Sequence, residues 1–207
     1  MKTILLLLAF NLSQIFAQVP CALFENGYRD VWWDSTPDKM AKFFESGDFR
    51  GEVFEDFSTN NNRHGLVILY SRGSYADFRS DRNHEERNLI FLDDHPISIK
   101  YIFHFNWSYH INTAKQIASD IASKYSLPMT ANQIGGYGNI NLGWVGTCNG
   151  KRISVHLVWT EEFEGEATRY VAVEVSKIAA NQEFGRLRTI ADHEEDERRA
   201  KGIKDGF

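Results

Sequence analysis

The chain has 207 residues, a formal net charge of −5 and two cysteines. A mildly acidic chain without clustered Lys and Arg excludes nucleic acid and anionic membrane as main partners. Two cysteines without histidines at ligand spacing exclude a structural zinc site, and the length suits one domain with a real core or two small packed halves.

Residues 1–17, MKTILLLLAFNLSQIFA, carry a positive Lys2, an apolar run over 4–10 and a small residue, Ala17, where a peptidase can cut. That pattern reads as a secretory signal peptide, so the expectation is an exported protein, periplasmic or secreted. The apolar run is shorter than the roughly 20 residues a spanning helix needs, and no stable membrane anchor is expected. Cys21 then lies close to the start of the mature chain, with Cys148 far away in sequence. An oxidising compartment permits a disulfide between them, and two free thiols are the other outcome.

Residues 18–34 are aromatic-rich, with Tyr28, Val31, Trp32 and Trp33, and read as an edge strand or a segment plugging the core. Ser35, Thr36, Pro37 and Asp38 start a helix. Met40, Phe43 and Phe44 form its stripe, and Gly47 stops it. Residues 52–57 read as a strand, 60–63 as a polar turn, and 66–70 as a strand covered on both faces. Residues 71–88 are charged and read as a long loop or irregular helix. A hairpin follows, with 89–92 and 97–107 flanking a four-residue turn, Asp93-Asp94-His95-Pro96. That turn puts Ile97, Ile99, Tyr101, Phe103, Phe105 and Trp107 on one face.

Asn112 or Thr113 is expected to cap a helix whose stripe is Ala114, Ile117, Ala118, Ile121 and Tyr125, ending at Leu127-Pro128. Residues 129–139 read as a glycine-rich loop. The next stretch, 142–159, turns at Asn149-Gly150, the dipeptide a two-residue type I′ hairpin demands. The register follows: Trp144 faces Val155, and Leu142 faces Leu157. Leu142, Trp144, Ile153, Val155, Leu157 and Trp159 share one face. A third strand over 169–176 pairs Val171 with Leu157 and Val173 with Val155. Residues 178–201 are helical in pattern, with Glu194 and Arg198, Glu195 and Arg199, and Glu197 and Lys201 as i,i+4 pairs.

The expected fold class is α+β, helices packed on antiparallel meanders, with each half able to form one helix laid across a meander. Residues 18–177 form the domain, and 178–207 a charged helical or disordered tail. The segments STPDKMAKFF, KYIFHFNW, SKYSLP, GWVGTCNGKRISVHLVW and RYVAVEVS resemble small exported bacterial proteins of uncharacterised role. The layout of residues 28–177 is similar to the beta-lactamase-inhibitor-protein-like fold. The resemblance implies binding rather than catalysis and carries no functional residue across.

The register sets candidate chemistry on the polar side of the last three strands. Gly143, His156 and Ala172 form one row, Val145, Ser154 and Glu174 the next, and Asn141, Val158 and Tyr170 the one beyond. A histidine between a glycine and an alanine sits in a dent. His156, Ser154, Glu174, Tyr170 and Arg152 are thus the candidate binding residues for a small ligand or a partner's side chain. A merely solvated sheet face is the plain alternative. No catalytic fingerprint or cofactor motif is present, and no metal site is expected. Asp93-Asp94-His95 reads as a turn. A non-catalytic binding module for a protein or small ligand is therefore expected. The competing reading is a hydrolase using His156 and Glu174 as a general base pair. Asn106-Trp107-Ser108 matches a glycosylation acceptor and reads as chance.

Overall fold

A computed structural model of the chain describes residues 19–29, 31–40, 50–59, 62–72, 84–105, 109–134, 139–160 and 167–205. The expected signal peptide, the Phe43, Phe44 and Gly47 positions and the Asn106-Trp107-Ser108 tripeptide lie outside them. The fold is α+β. A two-stranded ribbon, β1 (Gly27–Tyr28) and β2 (Val31–Trp32), stands beside one eight-stranded antiparallel sheet. Its strands are β3 (Arg50–Thr59), β4 (Asn62–Arg72), β5 (His84–Leu92), β6 (His95–His104), β7 (Met129–Ile134), β8 (Ile140–Cys148), β9 (Lys151–Trp159) and β10 (Arg169–Lys177). They lie in the order β3-β4-β5-β6-β10-β9-β8-β7. Two meanders therefore meet at their last strands, Tyr101 opposite Val173, and the two halves share one sheet.

The β8–β9 hairpin has the register its turn dictates. Asn149 and Gly150 both take positive φ, 46° and 73°, and Trp144 pairs with Val155. Val171 pairs with Leu157, and Val173 with Val155. The β5–β6 hairpin differs from expectation. Its turn is the two residues Asp93 and Asp94, with φ of 49° and 64°, so Leu92 pairs with His95. The register then shifts at Ile90/Phe91, and Ile97 turns to the opposite face from Ile99. Asp93 accounts for the tight turn. Its carboxylate accepts from the Gly65 N–H at 2.9 Å and meets His64 Nδ1 at 2.9 Å. These long-range bonds hold the turn in left-handed backbone, which aspartate tolerates better than most residues.

Two segments read as irregular are strands. Residues 84–88 belong to β5, where neighbouring side chains satisfy the charges that hid them: Glu86 meets His104 of β6 at 3.4 Å and accepts from Asn88, two residues along its own strand, at 3.0 Å. Residues 129–134 form the edge strand β7, which needs little apolar alternation because only one neighbour pairs with it.

The α1 helix (Ile111–Lys124) starts two to three residues earlier than its polar residues suggested, with His110 at the N-cap and no side-chain cap. It buries Ala114, Ala118 and Ala122 against β9 and β10, on the face that carries Trp144, Ile153, Val155, Leu157, Val171, Val173 and Val175. The N-terminal segment covers the rest of that face. Phe24, Tyr28 and Val31 are buried in it, and Cys21 is bonded to Cys148 with a Cα–Cα distance of 5.6 Å. Residues 37–40 open a helix, with Met40 buried and the Lys39 N–H held at 3.4 Å by Thr36 Oγ1.

The α2 helix (Ile178–Asp205) crosses the opposite face. Ala180, Phe184, Leu187 and Ala191 recur at helical spacing and pack on Phe57, Leu66, Leu92 and Ile97 in a second, smaller core. Arg188 ties it to Glu55 of β3. Beyond Ala191 the helix is charged, and Arg199 pairs with Glu195 one turn back. Among the described residues no helix is long and apolar enough to cross a membrane.

Candidate functional site

The five residues singled out by register share the α2 face. His156 pairs with Gly143 on one side and Ala172 on the other, and Ser154 with Val145 and Glu174. A Cβ at position 143 would stand 3.4 Å from His156 Nδ1 and 3.3 Å from the Ala131 methyl, so the missing side chain opens the dent. His156 is half-buried in it, Ser154 is buried, Tyr170 is partly exposed and Arg152 is exposed. Burial holds the His156 imidazole below its usual range. Arg152 and Lys100 push the same way, and Glu174 opposes them.

These residues lie in adjacent rows, but they are not wired together. Glu174 accepts a hydrogen bond from Ser98 Oγ at 2.9 Å. Among the described residues no carboxylate lies within ion-pair distance of His156. A histidine held neutral without an orienting carboxylate can accept or donate one hydrogen bond to a ligand, but it lacks the geometry of a general base pair. The face continues across β6, which brings Lys100 opposite Glu174 and His104 opposite Tyr170. A shallow depression of about 380 Å³ lies there, lined by Tyr70, Glu86, Asn88, Lys100 and Glu174 among others. Lys100, Asn88 and Glu86 join the face only because β6 pairs with β10, a long-range pairing no local pattern encodes.

The other face holds a more enclosed pocket of about 270 Å³ between the N-terminal segment, α1 and the sheet. Tyr28, Tyr101, Tyr125, Phe103, Ile117 and Ile121 form most of its wall. Phe24, Tyr28, Tyr101 and Tyr125 pack as a cluster of rings. Tyr28 stands edge-on to Tyr101 at 5.4 Å, and Phe24 edge-on to Tyr125 at 5.2 Å. The Tyr28 and Tyr125 hydroxyls meet at 3.1 Å. Burial, and then the bond to Tyr125, push the Tyr28 hydroxyl far above the ordinary tyrosine range, so it stays protonated. Charged groups stand on one side of the pocket: Arg29, Glu85 and Lys124. Arg29 Nη1 meets Glu85 at 3.0 Å, and its guanidinium lies 4.5 Å from the centre of the Tyr101 ring. Arg29 takes a φ of 56° at the β1–β2 turn, a backbone conformation that costs a non-glycine residue energy and aims its side chain over the sheet.

None of these pocket residues was a sequence-based candidate. The available signal was Tyr125, which ends an alanine-rich helix stripe with a large polar-tipped ring. Small residues on a helix face let it approach the sheet, and a large one at its end props open a gap. Comparison with family models, curated proteins and solved structures finds no match to this chain, so function rests on the geometry alone.

Proposed function

We propose that this chain is an exported, non-catalytic binding protein that takes a small molecule with an apolar body into the pocket beneath its N-terminal segment. The carrying observation is the pocket itself, semi-enclosed and walled by tyrosine, phenylalanine and isoleucine with a few polar groups on one side. That is the usual anatomy of a small-ligand site. An engineered apolar cavity of about 150 Å³ holds one benzene. The space here, about 270 Å³, suits one ring with a short chain. The signal-like residues 1–17 and the disulfide support export, since such bonds persist in oxidising compartments. The helix-plus-meander resemblance also favours binding over catalysis.

The hydrolase reading has less to stand on, because His156 and Glu174 are neighbours by row without a hydrogen bond between them. The polar face remains a surface for a partner's side chain, with His156 in its dent, but nothing encloses it as the tyrosine pocket is enclosed. The test is extraction of the natively purified protein followed by mass spectrometry. A small molecule retained near one per chain is expected, and it should vanish in Ile121→Trp, which fills the pocket. Retention unchanged in that variant would place the ligand elsewhere.

A further inference from the structure

The charged side of the tyrosine pocket narrows the ligand class. Among the described residues Arg29 and Lys124 line it with one carboxylate, Glu85, which is already held from two directions. It meets Arg29 Nη1 at 3.0 Å and Arg87 Nε at 3.1 Å. Arg87 approaches the same Tyr101 ring as Arg29, its guanidinium 5.6 Å from the ring centre. Lys124 Nζ lies 5.8 Å from the centre of the Tyr125 ring. Among the described residues two cations, Arg29 and Lys124, therefore line this side with one anion, Glu85. The walls beneath them are apolar rings and isoleucines.

The tyrosine pair adds a directional donor. Two hydroxyls joined by one hydrogen bond use one of their two protons in that bond. Neither hydroxyl has a further protein partner among the described residues. One O–H thus remains to be given, in a site where burial disfavours its ionisation. A buried donor is expected to find an acceptor. A cation excess and an unspent O–H donor beside an apolar wall match an anionic head on an apolar body.

Resting on the small-ligand reading of this pocket, we propose that the ligand is a compact amphiphilic carboxylate, one ring or a short aliphatic chain bearing a single acid group. The apolar body lies against Phe103, Ile117, Ile121 and Tyr101. The carboxylate faces Arg29 and Lys124 and accepts from the tyrosine pair. Arg29 acts as the selector. The φ of 56° holds it above the ring, and its pairing with Glu85 is partly exposed, so its remaining N–H donors can turn to an incoming acid without breaking a buried ion pair.

The experiment uses matched acid and alcohol probes against protein purified with its disulfide intact. The probes are 3-phenylpropanoate with 3-phenylpropanol, and octanoate with octanol, titrated by ligand-observed NMR. The acids should bind at least about tenfold more tightly than the alcohols, the scale of one charge-assisted hydrogen bond. Arg29→Gln should weaken each acid far more than its alcohol and so bring the two close. Ile121→Trp and, as a second filling variant, Ile117→Phe should abolish both, with circular dichroism confirming that each folds. Acids and alcohols binding alike, with both lost on filling, would overturn the carboxylate assignment and leave the pocket reading intact. If no probe binds, or if filling changes nothing, the pocket reading falls and this inference falls with it.

Discussion

On β9, Ile153, Val155 and Leu157 are fully buried under α1, while on the alternate positions of the α2 face Arg152 is exposed and His156 and Val158 are partly exposed, with Ser154 the buried exception. The same contrast runs across the sheet. The α1 face is dry from Val67 and Leu69 of β4 to Trp144 of β8, closed by three buried alanines and the disulfide-tied N-terminal segment. The α2 face is apolar only under the first half of α2, where Leu187 and Ala191 meet Phe57, Leu66, Leu92 and Ile97. Elsewhere it carries Lys100, Glu174, His104 and His156. One face thus supplies most of the burial that stabilises the fold, at about 25 cal/mol per Å² of apolar surface. The other adds a smaller core under α2 and, beyond it, a row of charged and polar groups. The tyrosine pocket lies on the stable side, which places its wall on rigid elements.

The clamp on the dry face carries the largest expected effect. A bridge between Cys21 and Cys148 closes a loop with a sequence separation of 127. Chain entropy for such a loop corresponds to about 5 kcal/mol, and native bridges commonly deliver somewhat less. Urea melts of oxidised protein and of Cys21→Ser should differ by several kcal/mol. Thiol titration of denatured, unreduced protein should find no reactive thiols. Two thiols per chain would remove the clamp from the account.

Paired truncations sharpen the contrast between faces. Trp144→Ala on the dry face should cost about 4 kcal/mol, and Leu187→Ala in the smaller core about 2 kcal/mol, both read from urea midpoints at constant slope. A loss for Trp144→Ala smaller than that for Leu187→Ala would reverse the ranking of the two cores.

The two hairpins show what was legible in the sequence. At Asn149-Gly150 the turn dipeptide fixes both the loop length and, through it, every facing pair out to Leu142 and Leu157. His156 and Ser154 could be placed in their rows from that one turn, and Glu174 by pairing the third strand so that its valines face inward. At Asp93-Asp94 the left-handed conformation depends on the Asp93 carboxylate reaching Gly65 and His64, about thirty residues back, so the tight turn and the bulge after it belong to tertiary structure. Edge strand β7 and the charged start of β5 were missed for a similar reason. Their side chains do not alternate cleanly, and their backbone is ordered by neighbours. The pocket was illegible because it lies between three segments far apart in sequence. The polar row was legible because it lies along paired strands.

The smallest effect expected is at His156. Its folded pKa lies below the ordinary value, chiefly through burial, and the unfolded value is about 6.5. The unfolded chain therefore binds more protons at this site between the two values, and stability contributed there rises with pH across that window. The contribution is complete above about pH 7 and is lost as pH falls through 6.5 toward the folded pKa, below which it levels off. His156→Gln removes this dependence and keeps a polar group in the dent beside Gly143. Urea midpoints of the two proteins, measured from pH 8 to pH 5, should diverge in slope, with the natural chain losing more stability on acidification. Parallel curves would show that the half-buried imidazole is hydrated as fully as in the unfolded chain. The dent would then be no more than an ordinary stretch of wet sheet, and the contrast between the two faces would extend to every residue of that row.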